Sequence, residues 1–530
     1  MNVYNQDDKI KKRVLLIKIA LALSGTAVTI INYTSNKWFP VICFVSFVTW
    51  CFLLFKTELF NVIFSECPGK RRLILTLITS IAIISSWWMT QGYFVTVIYA
   101  GILTPAVFFF LNYFLGILYQ TTRAIIADMK KYEIVYLAIV GVIIITSIIT
   151  VYTITSVFYE PLIDGKLTFY NTIFTSDSPA YFVQNVFLNI STVENDIRHP
   201  LFGLFAMPFS VYPFIISKLF SHIHGLYPAL LQIIQVVLLQ TSLVLLSRIM
   251  GIRGISAVAF WIMLSLSYPY LLFVFMPEQY IFSVFYLVLF LYLHFNKDTI
   301  HIKNGRKMFF IASTGTLLTS AILFPCALVN KGRKAVRELV DLGIAFLLAV
   351  YLCGQARVLF YAFSRIKALM RFAGGSVPFV NRLYQYLNFM ALCFKNPDVI
   401  IHKNSSISYQ LAPVASLNYM GILFFILIVF SFMVNRKNKL AQVCMVWVLY
   451  SFIILCVIGW GTPENGLVLY SLYFSWGFFI LLFMGIEKTL ERYSLLKYCV
   501  YAILAVFLIF NNIPAIYDVI RFGINYYPIN

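Results

Sequence analysis

Apolar runs long enough to cross a lipid bilayer recur along this sequence from one end to the other. The hydrocarbon core of a bilayer is about 30 Å thick, so a helix needs about 20 apolar residues to cross it. The sequence predicts spans at roughly 14–31, 39–55, 72–87, 94–117, 134–157, 227–248, 254–273, 279–295, 308–319, 320–331, 338–356, 415–433, 441–459, 467–485 and 498–512. The two runs within 308–331 are each too short to cross alone, and they form either one broken hairpin or a single span. We therefore expect an all-α polytopic membrane protein with about 14 transmembrane helices.

The composition and its charge pattern agree with this class. Only 11% of the residues are charged, whereas soluble domains average about 25%. The net charge of +20 comes from Lys and Arg that cluster in short loops between apolar runs, which indicates contact with the lipid bilayer and argues against a nucleic-acid partner. None of the nine cysteines forms a CxxC pair or a Cys/His ligand spacing, so we predict neither a zinc site nor a disulfide framework, and we assign no residue as a metal ligand.

The basic loops also predict an orientation. Clusters such as Lys9–Arg13, Lys70–Arg72 and Arg436–Lys439 alternate with short outer loops at 32–38, 88–93, 274–278 and 460–466, which carry one basic residue, Lys37. This pattern places the N-terminus in the cytoplasm. The composition, rich in Ile, Phe and Lys, favours a bacterial plasma (inner) membrane. Two outer loops are long, 158–226 and 357–414, and their apolar segments at 201–220 and 379–394 predict interfacial helices.

Acidic residues are scarce, 20 in all, so those on the predicted outer side are informative. The first long loop contains a Ser-Asp-Ser-Pro segment and then a charged stretch that ends in His-Pro-Leu-Phe. The short outer loop before the span at 279–295 reads Met-Pro-Glu, and the second long loop begins with several basic residues. The candidate site residues are Asp177, Glu194, Asp196, Arg198, His199, Glu278, Arg357, Arg365, Lys367 and Arg371.

The order of these motifs resembles the C-type (GT-C) superfamily of glycosyltransferases, which are multi-spanning enzymes that take sugars from polyprenyl-phosphate carriers. Asp177 followed by the His199-Pro200-Leu201-Phe202 element resembles the first outer loop of that superfamily. Pro277-Glu278 resembles its Pro-acid pair at the start of a later helix, and the segment around Pro325 resembles its short broken helix pair. The resemblance covers about 134–485 and leaves four predicted spans before it.

The resemblance implies three regions. These are an N-terminal four-helix module at 1–133, a GT-C-like core at 134–485, and a C-terminal helix with an outer tail at 486–530. It implies an inverting glycosyltransferase that moves a sugar from a polyprenyl-phosphate donor to an envelope glycan or lipid on the outer face.

Such a reaction assigns roles to the candidate residues. Transfer to a hydroxyl requires a base, which we expect to be Asp177, with Glu278 as a second catalytic acid and Glu194 and Asp196 as secondary acids. Cations must hold the phosphate leaving group, where Arg gives bidentate contacts. The candidates for that role are Arg198, His199, Arg357, Arg365, Lys367 and Arg371. Mg²⁺ or Mn²⁺ is left open as a cofactor.

Two alternatives use the same topology. An O-antigen-type polymerase or ligase is also polytopic with a large outer loop, and it would depend on Arg and His in the later loop. A non-enzymatic flippase or transporter of lipid-linked polysaccharide should carry ionisable residues at mid-membrane depth. The acids of the early loop favour the transferase over the first alternative, and the very few ionisable residues inside the apolar runs favour it over the second.

Overall fold

The structure is a computed structural model that describes residues 73–89, 94–159, 195–296, 300–323, 333–352, 369–403, 407–412, 418–463 and 466–529, with isolated positions elsewhere. Its helices and strands, in chain order, are α1 Leu73–Met89, α2 Phe94–Ala127, α3 Lys131–Ile154, α4 Asn195–Arg198, α5 Phe202–Leu219, α6 Leu226–Met250, α7 Gly254–Leu266, α8 Tyr268–Phe275, α9 Gln279–Phe295, α10 Gly305–Thr316, α11 Arg333–Leu352, α12 Phe379–Ala391, β1 Asp398–Lys403, β2 Ile407–Ala412, α13 Tyr419–Asn435, α14 Lys439–Phe452, α15 Ser471–Thr489 and α16 Ser494–Tyr526. In the described residues, therefore, the fold is almost entirely helical.

Six of the described helices are long and apolar enough to cross a membrane, or seven if α7 and α8 together form one bent span. The protein therefore has the composition and secondary structure of an all-α membrane protein. Helix α5, for which the sequence predicted an interfacial position, is one of the six. The predicted spans at 14–31 and 39–55 lie mostly outside the described residues.

The chain divides into two compact units. The first contains Met1–Asp128, Val183–Tyr212 and Lys297–Ile366, and the second contains Met129–Phe182, Pro213–Asn296 and Lys367–Asn530. In the first unit, the ring of Phe114 on α2 lies 4.8 Å from that of Phe205 on α5 and 6.4 Å from that of Phe309 on α10. Edge-to-face contacts of this kind join the three helices into one core.

The second unit has its core around α6, α9, α14 and α15. The indole of Trp447 on α14 is fully buried, and its ring lies 4.8 Å from that of Tyr473 on α15. Small residues let the neighbouring helices approach closely. A Cβ at Gly421 on α13 would overlap the carbonyl of Leu387 on α12, and a Cβ at Gly485 on α15 would overlap Ser431 on α13. Close packing through small residues is the usual way in which membrane helices associate.

The structure differs from the predicted spans at two places in the second unit. The span predicted at 254–273 is broken into α7 and α8, which meet at an angle of 65°. Pro269 lies in the first turn of α8 and cannot donate a backbone hydrogen bond to a residue of α7, so the helix is interrupted there. Helix α16 runs to Tyr526, well past residue 512, where the sequence predicted an outer tail.

The second long loop contains a β-hairpin that the sequence did not predict. Strands β1 and β2 pair antiparallel, with Ile400 opposite Gln410. The hydroxyl of Tyr527, just after α16, donates a hydrogen bond to the carbonyl of Ile407 and ties the hairpin to the end of that helix. The helix predicted at 379–394 in the same loop is present as α12.

Candidate functional site

Four of the ten predicted site residues lie outside the described residues: Asp177, Glu194, Arg357 and Arg365. Asp196 lies in the four-residue helix α4. Arg198 and His199 belong to the first unit, and Glu278, Lys367 and Arg371 to the second. The site is therefore described below from the two groups whose surroundings are defined, those of Glu278 and of His199.

Glu278 lies at the point where α9 begins. Pro277 precedes it and cannot donate a backbone hydrogen bond, so α8 does not continue into α9. Glu278 is the N-cap residue of α9, and its carboxylate accepts the backbone N–H of Gln279, the first residue of the helix, at 3.2 Å. Its side chain is 0% exposed, and a carboxylate with that burial is costly unless polar groups surround it.

Two glutamines of α6 supply polar groups close to this position. The Nε2 atom of Gln232 donates to the carbonyls of Phe273 at 2.8 Å and Val274 at 2.7 Å. These carbonyls belong to the last turn of α8, where carbonyl oxygens have no backbone N–H donor within the helix. The Oε1 atom of Gln235 accepts the backbone N–H of Glu278 at 3.1 Å. The break between α8 and α9 is thus held by side chains of α6.

The same break is held from a second side by α3. The hydroxyl of Tyr152 donates to the carbonyl of Phe275 at 2.7 Å, which is the last residue of α8. Tyr152 is itself buried. The segment that leads into Glu278 is therefore fixed on both sides and provides a rigid base for a site.

Several polar atoms of this region have no hydrogen-bond partner within the described part of the chain. They are Gln232 Oε1, Gln235 Nε2 and Gln279 Nε2, and all three side chains are at most 1% exposed. A buried polar atom left without a partner costs about 1–3 kcal/mol. Such atoms call for an explanation such as a ligand or an ordered water.

The next residue of α9, Tyr280, belongs to a group of packed aromatic rings. The ring of Tyr280, two residues after Glu278, lies 5.8 Å from the ring of Tyr470 and 5.9 Å from that of Tyr473. The indole Nε1 of Trp460 donates to the hydroxyl of Tyr470 at 2.8 Å. We call Gln232, Gln235, Glu278 and Gln279 the Glu278 cluster. It combines a carboxylate with amides, which is a suitable set for binding a polyhydroxylated molecule.

His199 lies in a different environment in the first unit. Its side chain is 4% exposed, and its Nδ1 donates to the carbonyl of Thr316 at 2.6 Å, at the end of α10. The neighbouring backbone N–H of Leu201 donates to the carbonyl of Gly315 at 2.8 Å. A Cβ at Gly315 would overlap the side chain of Leu201, so glycine is required for this close approach.

The protonation of His199 follows from that environment. The pKa of His199 is lowered to about 3, mainly by burial and then by the charge of Arg198, while the hydrogen bond to the Thr316 carbonyl acts in the opposite direction. The imidazole is therefore neutral at physiological pH, with Nδ1 protonated and Nε2 as an acceptor. A phosphate next to this pair would receive positive charge from Arg198 and none from His199.

The basic candidates of the second long loop lie before α12. Lys367 is exposed, and Arg371 lies in the short 3-10 turn Met370–Phe372. The backbone of this turn is fixed, because the carbonyl of Phe372 accepts the N–H of Gly461 at 2.9 Å. Among the described residues there is no group of three or more His, Cys, Asp or Glu that could hold a metal ion.

Comparison of the chain with protein-family models, curated proteins and solved structures found no match. The interpretation of the site therefore rests on its own chemistry. The sequence pointed to Glu278 through its position after Pro277, but it did not point to the three glutamines. A signal was available, since Gln232 and Gln235 interrupt an apolar run at a spacing of three residues, which places both on one face of a helix.

Proposed function

We propose that this protein is an inverting glycosyltransferase of a bacterial plasma membrane, which moves a sugar from a polyprenyl-phosphate carrier to an envelope glycan or lipid on the outer face. The observation that carries the proposal is the fully buried carboxylate of Glu278, held at a break between two helices among amides. The ordered motifs of the sequence support the same class of enzyme.

The proposed reaction forms one bond and breaks one. The acceptor hydroxyl oxygen attacks the anomeric carbon from the face opposite the phosphate, and Asp177 takes the hydroxyl proton as the new C–O bond forms. The bond between the anomeric carbon and the phosphate oxygen breaks, and polyprenyl phosphate leaves with the electron pair. The carboxylate of Glu278 stabilises the positive charge that develops on the sugar, as carboxylates do in glycoside hydrolysis.

The test uses the purified full-length protein in lipid nanodiscs. The donors are polyprenyl phosphates carrying a hexose or a pentose, the acceptor is an extract of bacterial envelope, and release of polyprenyl phosphate is measured. We expect Asp177→Asn to lower turnover by about 10²–10⁴-fold. We expect Glu278→Gln to lower turnover as well, while its amide oxygen can still accept the N–H of Gln279 and the helix start is preserved.

Glu491→Gln is the matched control, because Glu491 is an exposed acid of the same unit whose side chain is 70% accessible. Its turnover should equal that of the wild type. If Asp177→Asn and Glu278→Gln both keep more than about a tenth of wild-type turnover, neither acid takes part in the chemistry. Movement of the intact lipid-linked sugar across the bilayer without bond cleavage would instead support the flippase alternative.

A further inference from the structure

The two glutamines of α6 have amide groups whose orientations are fixed by their partners. A backbone N–H can only donate, so the atom of Gln235 that meets the N–H of Glu278 must be the carbonyl oxygen. A backbone carbonyl can only accept, so the atom of Gln232 that meets the carbonyls of Phe273 and Val274 must be the amide nitrogen. The assignment of N and O in both side chains therefore follows from chemistry.

These orientations leave one acceptor and one donor on the same face of α6. The oxygen of Gln232 and the NH₂ of Gln235 have no partner among the residues that the structure describes, and the two residues are three positions apart on one helix. The NH₂ of Gln279, on the residue after Glu278, adds a further buried donor with no described partner. A hydroxyl group, which donates one hydrogen bond and accepts others, complements such a set.

The position of the group is recessed from the end of α6. Gln235 meets the start of α9, yet it is the tenth residue of α6. At 1.5 Å per residue, about 13 Å of α6 precedes Gln235. The two glutamines therefore lie well inside α6, and together with Glu278 and Gln279 they are buried away from bulk water.

We propose that the side chains of Gln232, Gln235 and Gln279 form a site that recognises hydroxyl groups of the sugar ring, next to the carboxylate of Glu278. This inference rests on the proposed function, since it takes the ligand to be the sugar of the lipid-linked donor. The amides distinguish sugars by the placement of their hydroxyls. These glutamines are specificity-determining residues, whereas Glu278 and Asp177 carry the chemistry.

Gln279→Met is the sharpest variant. Gln232 and Gln235 also hold the backbone of α8 and α9, so replacing them would disturb the fold. The NH₂ of Gln279 has no partner in the described structure, and methionine has a similar length and no hydrogen-bond donor. Gln385→Met is the matched control, because Gln385 is another buried glutamine of the second unit with an unpartnered side-chain atom, and it lies on α12.

The experiment measures binding to the full-length protein in nanodiscs. The probes are polyprenyl phosphates that carry sugars of gluco, galacto, manno and arabino configuration, deoxy analogues of the sugar that binds best, and the same carrier without a sugar. We expect the wild type to bind one sugar more tightly than the bare carrier. A deoxy analogue that lacks the hydroxyl bound by the Gln279 amide should bind the wild type about 10-fold more weakly than the complete sugar.

Gln279→Met should bind the complete sugar and its deoxy analogue equally, whereas Gln385→Met should behave as the wild type. Binding of the bare carrier should be the same in all three proteins. The proposal is overturned if no sugar binds more tightly than the bare carrier, or if Gln279→Met discriminates the deoxy analogues as the wild type does. If Gln279→Met discriminates the deoxy analogues as the wild type does and the wild type still transfers the sugar, only the recognition site is refuted and the proposed function is retained. Hydroxyl-dependent binding without any bond cleavage refutes the transferase and keeps the recognition site.

Discussion

Removing the carboxylate of Glu133 should destabilise the second unit far more than removing the acid of an exposed ion pair. Glu133, at the start of α3, receives two hydrogen bonds from the guanidinium of Arg248, near the end of α6, and one of them joins Nε to Oε1 at 2.9 Å. The side chains of Arg248 and Glu133 are 11% and 3% exposed. The variant Glu133→Ala would leave a buried guanidinium without its counter-charge.

The magnitude follows from this burial. Removing one partner of a buried ion pair costs about 3–5 kcal/mol, because the remaining charge stays desolvated. Oε2 of Glu133 also accepts the backbone N–H of Lys130 at 2.8 Å, and loss of such a contact at a helix start adds about 1 kcal/mol. The exposed pair of Lys488 and Glu491 has side chains 59% and 70% accessible, so Glu491→Ala should cost about 0–1 kcal/mol.

Unfolding of the purified protein in mixed micelles with increasing denaturing detergent measures these differences. We expect a large shift of the midpoint for Glu133→Ala and almost none for Glu491→Ala. The double variant Glu133→Ala/Arg248→Met should recover most of the loss, because it contains no uncompensated charge. If Glu133→Ala unfolds at the same point as Glu491→Ala, or if Arg248→Met makes it worse, the buried pair does not stabilise this unit as argued.

The remaining predictions concern pH, phosphate binding and topology. The folded pKa of His199, about 3, lies below its unfolded value of about 6.5, so the wild type should lose stability as pH falls below 6.5, by up to about 1.4 kcal/mol per pH unit. The unfolding free energy of His199→Gln should lack this pH dependence. Equal slopes of unfolding free energy against pH in the two proteins would contradict the prediction. Arg198→Lys and Arg365→Lys should each raise the donor concentration needed for half-saturation, because Lys lacks the planar fork that grips two phosphate oxygens; unchanged saturation curves would remove both from the phosphate site. Cysteines introduced at Ser178 and Ser406 should react with an impermeant reagent from outside the cell, and labelling only after permeabilisation would reverse the orientation.

The sequence predicted those helices best that are uniformly apolar. Helix α9 has the bounds that the apolar run predicted, Gln279–Phe295, because Pro277 and Glu278 mark its start and Asn296 follows its last apolar residue. The break between α7 and α8 was not predicted, since Pro269 lies in a run that remains apolar on both sides. The hairpin was missed as well, because its strands are short and carry three neighbouring exposed apolar residues, Val399 to Ile401, in place of an alternating pattern.

Of the candidate site, the sequence indicated only the charged residues. Glu278 stood out because a carboxylate in an apolar context is rare. Gln232, Gln235 and Gln279 carry no charge, and their importance lies in which partner each amide meets, which depends on the break between α8 and α9. The neutral state of His199 was also not predictable from sequence, since it results from burial against the end of α10.

The second unit buries polar groups in two ways, and the contrast bears on the origin of the Glu278 cluster. The pair of Glu133 and Arg248 satisfies its charges with each other and with the backbone of Lys130, so it is explained by the fold itself. The amides of Gln232, Gln235 and Gln279 each use at most one side for the fold and leave a buried atom without a described partner. At Gln279 an apolar side chain of the same size would avoid that cost, whereas at Gln232 and Gln235 it would also leave backbone groups of α8 and α9 without partners. Selection for stability therefore explains Gln232 and Gln235 in part and does not explain Gln279, whereas selection for binding a hydroxylated ligand explains all three.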